Sequence, residues 1–487
     1  MKKSVIILLS FLFCFNSVAQ EASQKKPENI QNLPDTKALF LSYLENDSEL
    51  KNLTLNAEKV SLSYEGTLID TGFDITLSTG NITIRSQADG TAITAKPSVK
   101  ASLPKAANLS LTGQTNINSR NSGSAFTDTS FSVGVDIISS TVAMNNISVL
   151  KAERSVLEAQ RKIQKRAIEV EKEFYTSLKS LLNSINSIMT KKETLYTDTL
   201  DFEAKKAQGY SKSSSVYRQA EIKVVSDEHD IESAVHTFIY DCTVFYKKCG
   251  YDITIDADAE LMTFVPFGIE EVEPQNVKDY DKELFTEIEN AKWNYKINSM
   301  ERNAKKNYSL TASAGYTFDN STTNSNTLDA GLSGTIGGVT LGAGMSVPAG
   351  NNQNGNSPSF TLSASINPNT FRKNNITTKQ NQITEEQELL AIKTAESDYE
   401  TKVVELEQKL ASILWEKESA DKNISLYEDL EKDMARLYRQ GYVTKNDYNA
   451  AKNSLNGYVT KKIINRIDLI LYNDEVASNF VKDTAEE

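Results

Sequence analysis

Hydrophobic positions along this chain recur at two different periods. In the tract from about Met144 to Ala207, Phe174, Leu178, Leu181, Ile185 and Ile188 follow in steps of four and three, continued by Leu195 and Phe202. A second tract carries Leu389, Ile392, Tyr399, Val403, Leu406, Leu410 and Ile413, then Ala420, Ile424, Tyr427, Met434 and Tyr438 on the same spacing. That is the heptad seam of a coiled coil. No proline falls between Pro104 and Pro266 or after Pro368, so nothing interrupts either tract. At ~1.5 Å per residue each would span on the order of 90 Å as a single helix. An ordinary globular core does not bury a helix of that length, whereas a coiled coil does.

The two tracts are in register. A shift of 232 residues carries Phe174 onto Leu406, Leu178 onto Leu410, Leu181 onto Ile413 and Gly209 onto Gly441. The two glycines sit in matching phrases, Gln208-Gly209-Tyr210 and Gln440-Gly441-Tyr442. A glycine just past a helix, followed by polar cap residues (Ser211 to Ser215, Thr444 to Asp447), predicts a helix end and a second helix after a tight turn. A duplication with so long a period means two structural halves, not a solenoid.

Period-two alternation precedes each long helix. Leu109, Leu111, Gly113, Thr115 and Ile117 share one parity, and Phe131, Val133, Val135 and Ile137 form a second run. In the other half Tyr308, Leu310, Ala312, Ala314, Tyr316 and Phe318 alternate, then Val339 to Val347, then Phe360, Leu362, Ala364 and Ile366. Such runs, about ten residues long and parted by Gly and Asn, suit outer-membrane strands and equally any half-buried antiparallel strand. Each half opens with a shorter helical pattern, Asp35 to about Tyr64 and Tyr280 to about Lys306. Each therefore reads helix, strands, very long helix, turn, helix. The predicted layout is a signal segment over 1–19, a first repeat over 20–249, a linker over 250–274 and a second repeat over 275–487. The region Gly66 to Ser140 holds extra strand candidates, and part of Phe73 to Ile93 reads as an added hairpin.

The N-terminal segment predicts export from the cytoplasm. Lys2 and Lys3, the apolar run Val5 to Phe15 and Ser17-Val18-Ala19 before Gln20 read as a cleaved signal peptide. Cys14 hints at lipidation, but Phe13 occupies a position that favours a small residue. No later stretch approaches ~20 apolar residues, so no transmembrane helix is expected. With 65 acidic against 53 basic residues, nucleic acid is a poor partner. Cys242 and Cys249 would be free to pair in an oxidising compartment, whereas a continuous helix would hold them roughly 10 Å apart, too far for a disulfide. The sequence carries no nucleophile elbow, phosphate loop or zinc-helix motif. No enzyme activity, cofactor or metal site is therefore expected. His229 and His236 read as an exposed or packed pair, and Glu270, Glu271 and Glu273 as a solvated linker.

The whole arrangement resembles the TolC-like outer-membrane efflux family (the outer membrane factors) over nearly all of the mature chain. Phe131-Ser132-Val133-Gly134-Val135 looks like the family strand that enters its long helix, and Gly441, Asp447 and Ala451 match its turn pattern. The first half keeps Gly209, with Ser215 where the aspartate would fall and Ala220 one place late. The resemblance implies a mostly α fold with β, in which long coiled-coil helices form an α-barrel and strands join a trimeric outer-membrane β-barrel. Four strands would come from each chain. It implies a homotrimer in the outer membrane that extends into the periplasm. The homotrimer would be a passive exit duct for efflux or type I secretion, working with a periplasmic adaptor and an inner-membrane transporter.

On the same resemblance Asp447 would constrict the pore and Tyr438 would help hold the closed state. The turns of Gly209, Tyr210, Ser215, Gly441 and Tyr442 would dock the adaptor. A second family aspartate is replaced by Ala450, and an arginine by Val443. Plainer readings stand beside these. Asp447 suits a helix N-cap, Tyr438 lies on the packing seam, and the two glycines serve the turns. Charged positions such as Lys151, Glu153, Arg154, Glu158 and Arg161 are expected to face solvent or a water-filled lumen. The rival to the channel is an exported coiled-coil structural or adhesive protein with a β-rich head.

Overall fold

The computed structural model describes residues 34–481 except 81, 88–89, 106, 119–125, 257–259, 267, 306–307, 319–325 and 350–356. The signal-peptide reading at Lys2 to Gln20, with Cys14, lies outside the described residues. Seven α-helices and ten strand segments are described: α1 Thr36–Asn46, α2 Ser48–Asp70, β1 Asp74–Ser78, β2 Thr83–Gln87, β3 Gly90–Ala95, β4 Ser98–Leu103, β5 Leu109–Asn118, β6 Phe126–Ile138, α3 Ser140–Ala207, α4 Ser215–Lys248, α5 Thr286–Ala304, β7 Tyr308–Phe318, β8 Asn326–Ile336, β9 Val339–Pro348, β10 Ser359–Ile366, α6 Pro368–Arg439 and α7 Lys445–Asn479. Contacts divide the chain into two units. One holds 1–53, 161–286 and 398–487, the other 54–160 and 287–397.

Two unbroken helices of 68 and 72 residues occupy the predicted coiled-coil tracts. Their proline-free sequences leave every interior amide able to bond, and Pro368 stands at the first helical position, where its missing N–H costs nothing. Two boundaries differ from expectation. The first helical pattern is split at Asp47, whose carboxylate accepts the Leu50 amide and starts a new helix. The predicted helix from Tyr280 begins only at Thr286, after short 3-10 turns at Val277–Asp279 and Lys282–Leu284.

In the first unit the helices pack in the series α4, α3, α7, α6. Lys191 and Lys223 on either side of the α3–α4 seam reach Asp230 (3.5 Å) and Asp198 (2.6 Å). Lys179 of α3 meets Asp468 of α7 at 2.5 Å, and Lys462 of α7 meets Asp421 of α6 at 2.7 Å. The seam residues Phe174, Leu178, Leu181, Ile185 and Ile188 are all buried, joined by Leu39 and Tyr43 of α1 and by Phe238, Phe245 and Tyr246 of α4. The second seam is less covered: Leu406 and Ala420 are buried, while Leu389 and Tyr438 of the same seam are exposed.

Residues 250–274 are more than a solvated linker. The Tyr246 hydroxyl donates to the Phe264 carbonyl at 3.0 Å, Val265 and Ile269 are buried, and Glu271 pairs with Lys417 and Arg466. Cys242 and Cys249 are buried free thiols. Helix α4 runs unbroken between them to Lys248, which keeps them too far apart to pair, and burial pushes both thiols up to about 12.

The second unit holds one antiparallel sheet in the order β1-β4-β5-β6-β7-β8-β9-β10, with β2 on β3 and β3 on β5. A small core of Ile147, Ile297 and Ala304 packs α3 against α5, with Trp293 and Met300 beside it. Arg154, expected at a polar surface, is buried here. Its guanidinium pairs with Glu289 (2.7 Å to one oxygen) and Glu158 (2.8 Å) and lies over the Trp293 ring. A neighbouring helix with a carboxylate at the right height, which no periodicity in α3 reveals, makes that burial tolerable.

Candidate functional site

The sheet is the first candidate. Its pairing builds rows that run from strand to strand. One row reads Ile75, Ala101, Leu111, Val133, Ala314, Ala330, Met345 and Phe360. The adjacent row on the same face reads Leu77, Val99, Gly113, Phe131, Tyr316, Leu328 and Val347. The opposite face reads Thr76, Lys100, Thr112, Ser132, Gly315, Asp329, Ser346 and Ser359, followed by a row of Ser110, Gly134, Ser313, Gly331, Gly344 and Thr361. One face is thus mainly apolar, the other mainly small and polar with Lys100 and Asp329 as its charges. Among the described residues nothing covers the apolar face, where Phe360 is 76% exposed and Leu362 86%.

A sheet with one wet face normally buries the other against a core. Here the apolar side chains are spread over β5 to β10, whose lengths of 8 to 13 residues bracket the ~9–11 that cross a bilayer at a tilt. The connections are asymmetric as well. At the end where β6 and β10 enter the long helices, β8 and β9 join through Gly337 and Gly338 alone. At the other end the strands stop at Asn118, Phe318 and Pro348 and resume at Phe126, Asn326 and Ser359, with more of the sequence in between. Among the described residues no helix is long and apolar enough to cross a membrane.

The second candidate is the pair of helical hairpin tips. Gly209 and Gly441 adopt φ of +79° and +77°. The Gly209 amide donates to Lys206 O (3.0 Å) and Tyr210 to Lys205 O (3.3 Å); Gly441 and Tyr442 donate likewise to Tyr438 and Leu437, both at 3.0 Å. These are Schellman ends, which consume the last free carbonyls of α3 and α6. In the first tip Ser214, and not Ser215, caps the next helix, accepting from the Tyr217 amide at 3.3 Å. In the second tip Thr444 is the cap and Asp447 the third helical residue of a capping box. Asp447 accepts from the Thr444 amide (2.9 Å) and hydroxyl (2.6 Å), and those bonds hold its carboxyl below the usual range.

Tyr438 is 41% exposed and stacks on Tyr448, centroids 5.7 Å apart. Tyr448 in turn donates to Glu431 at 3.0 Å. The structure therefore brings Tyr438 and Asp447 into one tip, each with a local partner. Thr444 opens the cap region that the sequence predicts and completes the readable Thr-x-x-Asp spacing of a capping box, whereas nothing in the sequence marks Tyr448 as the partner of Tyr438. Asn446 of the second tip reaches the side of α3, its amide 3.5 Å from Thr197 Oγ1.

Replacing Gly441 with alanine tests the turn alone, since an added Cβ meets nothing within 4 Å. The cost is the left-handed backbone itself, about 1–2 kcal/mol. A drop in chemical-denaturation midpoint of that size for Gly441→Ala, with an equal drop for Gly209→Ala, is the expected result.

One buried carboxylate stands apart from both candidates. Asp474 of α7 has one oxygen with no hydrogen-bond partner among the described residues, and burial together with Glu171, only partly offset by Lys172, pushes its pKa up to about 7. The unfolded value is ~3.9, so the folded state holds this proton more tightly. The stability it carries is full below pH ~4 and is lost as pH rises to about 7. Asp474→Asn should match the parent at pH 4 and melt at a higher temperature at pH 8. Equal melting at both values would contradict this account.

A duplicated, mostly helical chain with a single one-sided sheet of membrane-crossing length defines the class of this protein. The sequence matches the TP096X N-terminal domain over residues 39–269 and the TP096X C-terminal domain over residues 270–483. It belongs to the family that these two domains define, and their junction falls within the 250–274 segment. No curated protein matches the chain.

Among solved structures it is similar to the outer membrane protein VceC of Vibrio cholerae, at 11% identity over 91% of this chain and 96% of that one, with a TM-score of 0.45. It is similar also to the open-state MtrE outer membrane channel of Neisseria gonorrhoeae (13% identity, 92% and 89% covered, TM-score 0.43). A third likeness is to the CmeC outer membrane channel of Campylobacter jejuni (12% identity, 96% and 92% covered, TM-score 0.44).

Proposed function

We propose that three copies of this chain form a passive channel in the outer membrane. Their sheets would make the membrane wall and their helices a periplasmic tube, through which an inner-membrane transporter and its adaptor export cargo. The observation that carries this reading is the one-sided sheet, because an uncovered apolar face on strands of bilayer length suits lipid and a Gly/Ser/Thr face suits a wet lumen.

The helices support sister chains. Helices α4 and α6 end the packed series, and each keeps an apolar stripe. Val404, Trp415 and Leu426 recur every eleven residues on α6, with Trp415 67% exposed, and Ile222 and Tyr240 are exposed on α4. Apolar stripes on the two outer helices of a series suit closure into a ring by copies of the same chain.

In this reading the hairpin tips at Gly209, Tyr210, Ser215, Gly441 and Tyr442 dock the adaptor, Asp447 supplies a ring of carboxylates at the constriction, and Tyr438 steadies it through Tyr448. Single-channel recording in planar bilayers tests both levels. The purified assembly should conduct, and Asp447→Asn should weaken block by divalent cations applied from the helical side. A folded trimer without conductance would return the chain to a structural or adhesive role.

A further inference from the structure

The ten strand segments are eight strands. Segments β3 and β4 both pair with β5 in one unbroken register, Ala95 opposite Ile117 and Ser98 opposite Gln114. Between them the Thr115 amide donates to the Pro97 carbonyl at 3.1 Å. The ladder lapses only because Pro97 has no amide to donate. The apolar parity of Ile93, Ala95, Pro97, Val99, Ala101 and Leu103 runs straight through.

Segments β1 and β2 likewise make one strand on the outside of this one, Ser78 opposite Ser98 and Thr83 opposite Thr94. The register slips by a single residue between those pairs, beside Gly80, whose φ of +62° marks a bulge. Each half of the duplicated chain therefore supplies four strands, not the two per half that the family resemblance implies.

Both edges of this eight-stranded sheet are open, since among the described residues β1 and β10 have no partner on their outer sides. Strand β10 (Ser359–Ile366) contains no charge and no proline, so it lacks the devices that keep a free edge from pairing. An even number of strands sets β1–β2 and β10 antiparallel to one another. A second copy placed beside β10 would thus continue the same antiparallel order, with Ile75 and Phe360 on the same apolar face. Self-closure fits poorly, because an eight-stranded barrel is filled by its own side chains and this inner face offers mainly Gly, Ser and Thr.

Building on the channel reading, we propose that the β10 edge of one chain pairs with the β1–β2 edge of the next, so that three chains close a 24-stranded barrel. At ~4.8 Å between strands and a tilt of ~40°, that wall is about 48 Å across, against about 24 Å for twelve strands.

Paired cysteines on the polar face test the closure. Asp74, Thr76 and Ser78 are each replaced by cysteine in one tagged chain, and Thr361, Ser363 and Ser365 in a second, co-expressed chain. Mild oxidation should join the two tags through at least one of the nine combinations, and chains carrying both cysteines should become covalent trimers. Cross-linking only within a single chain, which indicates three separate barrels, overturns the proposal, as does no cross-link in any combination. Cross-linked trimers without conductance would leave the closure standing and remove the channel reading, whereas conductance with cross-links only within chains would do the reverse.

Discussion

Leu332→Arg should prevent stable membrane insertion or cost the inserted protein about 2–4 kcal/mol, the penalty for arginine at the lipid-facing midplane of a barrel. Leu332 sits near the middle of β8, paired with Ala312 on one side and Ala343 on the other, on the apolar face. Its neighbour Ser333 points to the opposite face, in a row with Thr311 and Gly342, so Ser333→Arg should insert with little loss. The contrast between adjacent residues is the informative quantity, because both lie at the same depth on the same strand. Urea unfolding from lipid vesicles measures it. In an adhesive head exposed to water the order would reverse, since replacing an exposed leucine by arginine there removes apolar surface from solvent. Equal tolerance of both substitutions would therefore argue against lipid on the apolar face.

Phe174→Ala should lower the stability of the helical unit by about 3–5 kcal/mol, the usual cost of removing a large aromatic side chain from a filled core. Phe174 is 0% exposed. Its ring meets Phe40 and Tyr43 of α1 at 5.5 and 5.6 Å and Phe245 of α4 at 5.2 Å, so one truncation loosens three helices. The register equivalent, Leu406, is also buried but is a smaller side chain, and Leu406→Ala should cost nearer the lower end of the ~2–5 kcal/mol range for such residues. Guanidinium denaturation of the two variants, followed by helical circular dichroism, checks both the magnitude and the order.

The long helices were legible because a heptad seam is a property of sequence spacing alone, and no proline or glycine breaks α3 or α6. The turns were legible because only glycine takes the positive φ at positions 209 and 441 without strain. Strands β5, β6, β7, β9 and β10 were found by alternation, yet β8 was passed over although Leu328, Ala330, Leu332 and Ile336 share its parity. The early strands were obscured for identifiable reasons. A bulge beside Gly80 shifts the pairing by one residue, and Pro97 leaves a gap in the ladder of an otherwise continuous strand.

Arg154 and Asp474 could not be placed from sequence, since each depends on distant parts of the chain: the carboxylate of Glu289 in the first case, burial and then Glu171 in the second. At the tip, Asp447 read equally well as an N-cap or a pore residue. The geometry makes it the third residue of a capping box, a structural position compatible with a pore-facing carboxylate.

By itself the sequence determined the duplication, the lengths of the two great helices, their glycine ends and the existence of one-sided strands. These follow from local propensity and periodicity, which a linear text records. Only the tertiary structure decided how many strands each half contributes, that the two halves join in a single sheet at β6 and β7, and that among the described residues its apolar face has no cover. Strand pairing and burial are relations between residues far apart in the chain, and their registers are fixed by the whole set of neighbours at once.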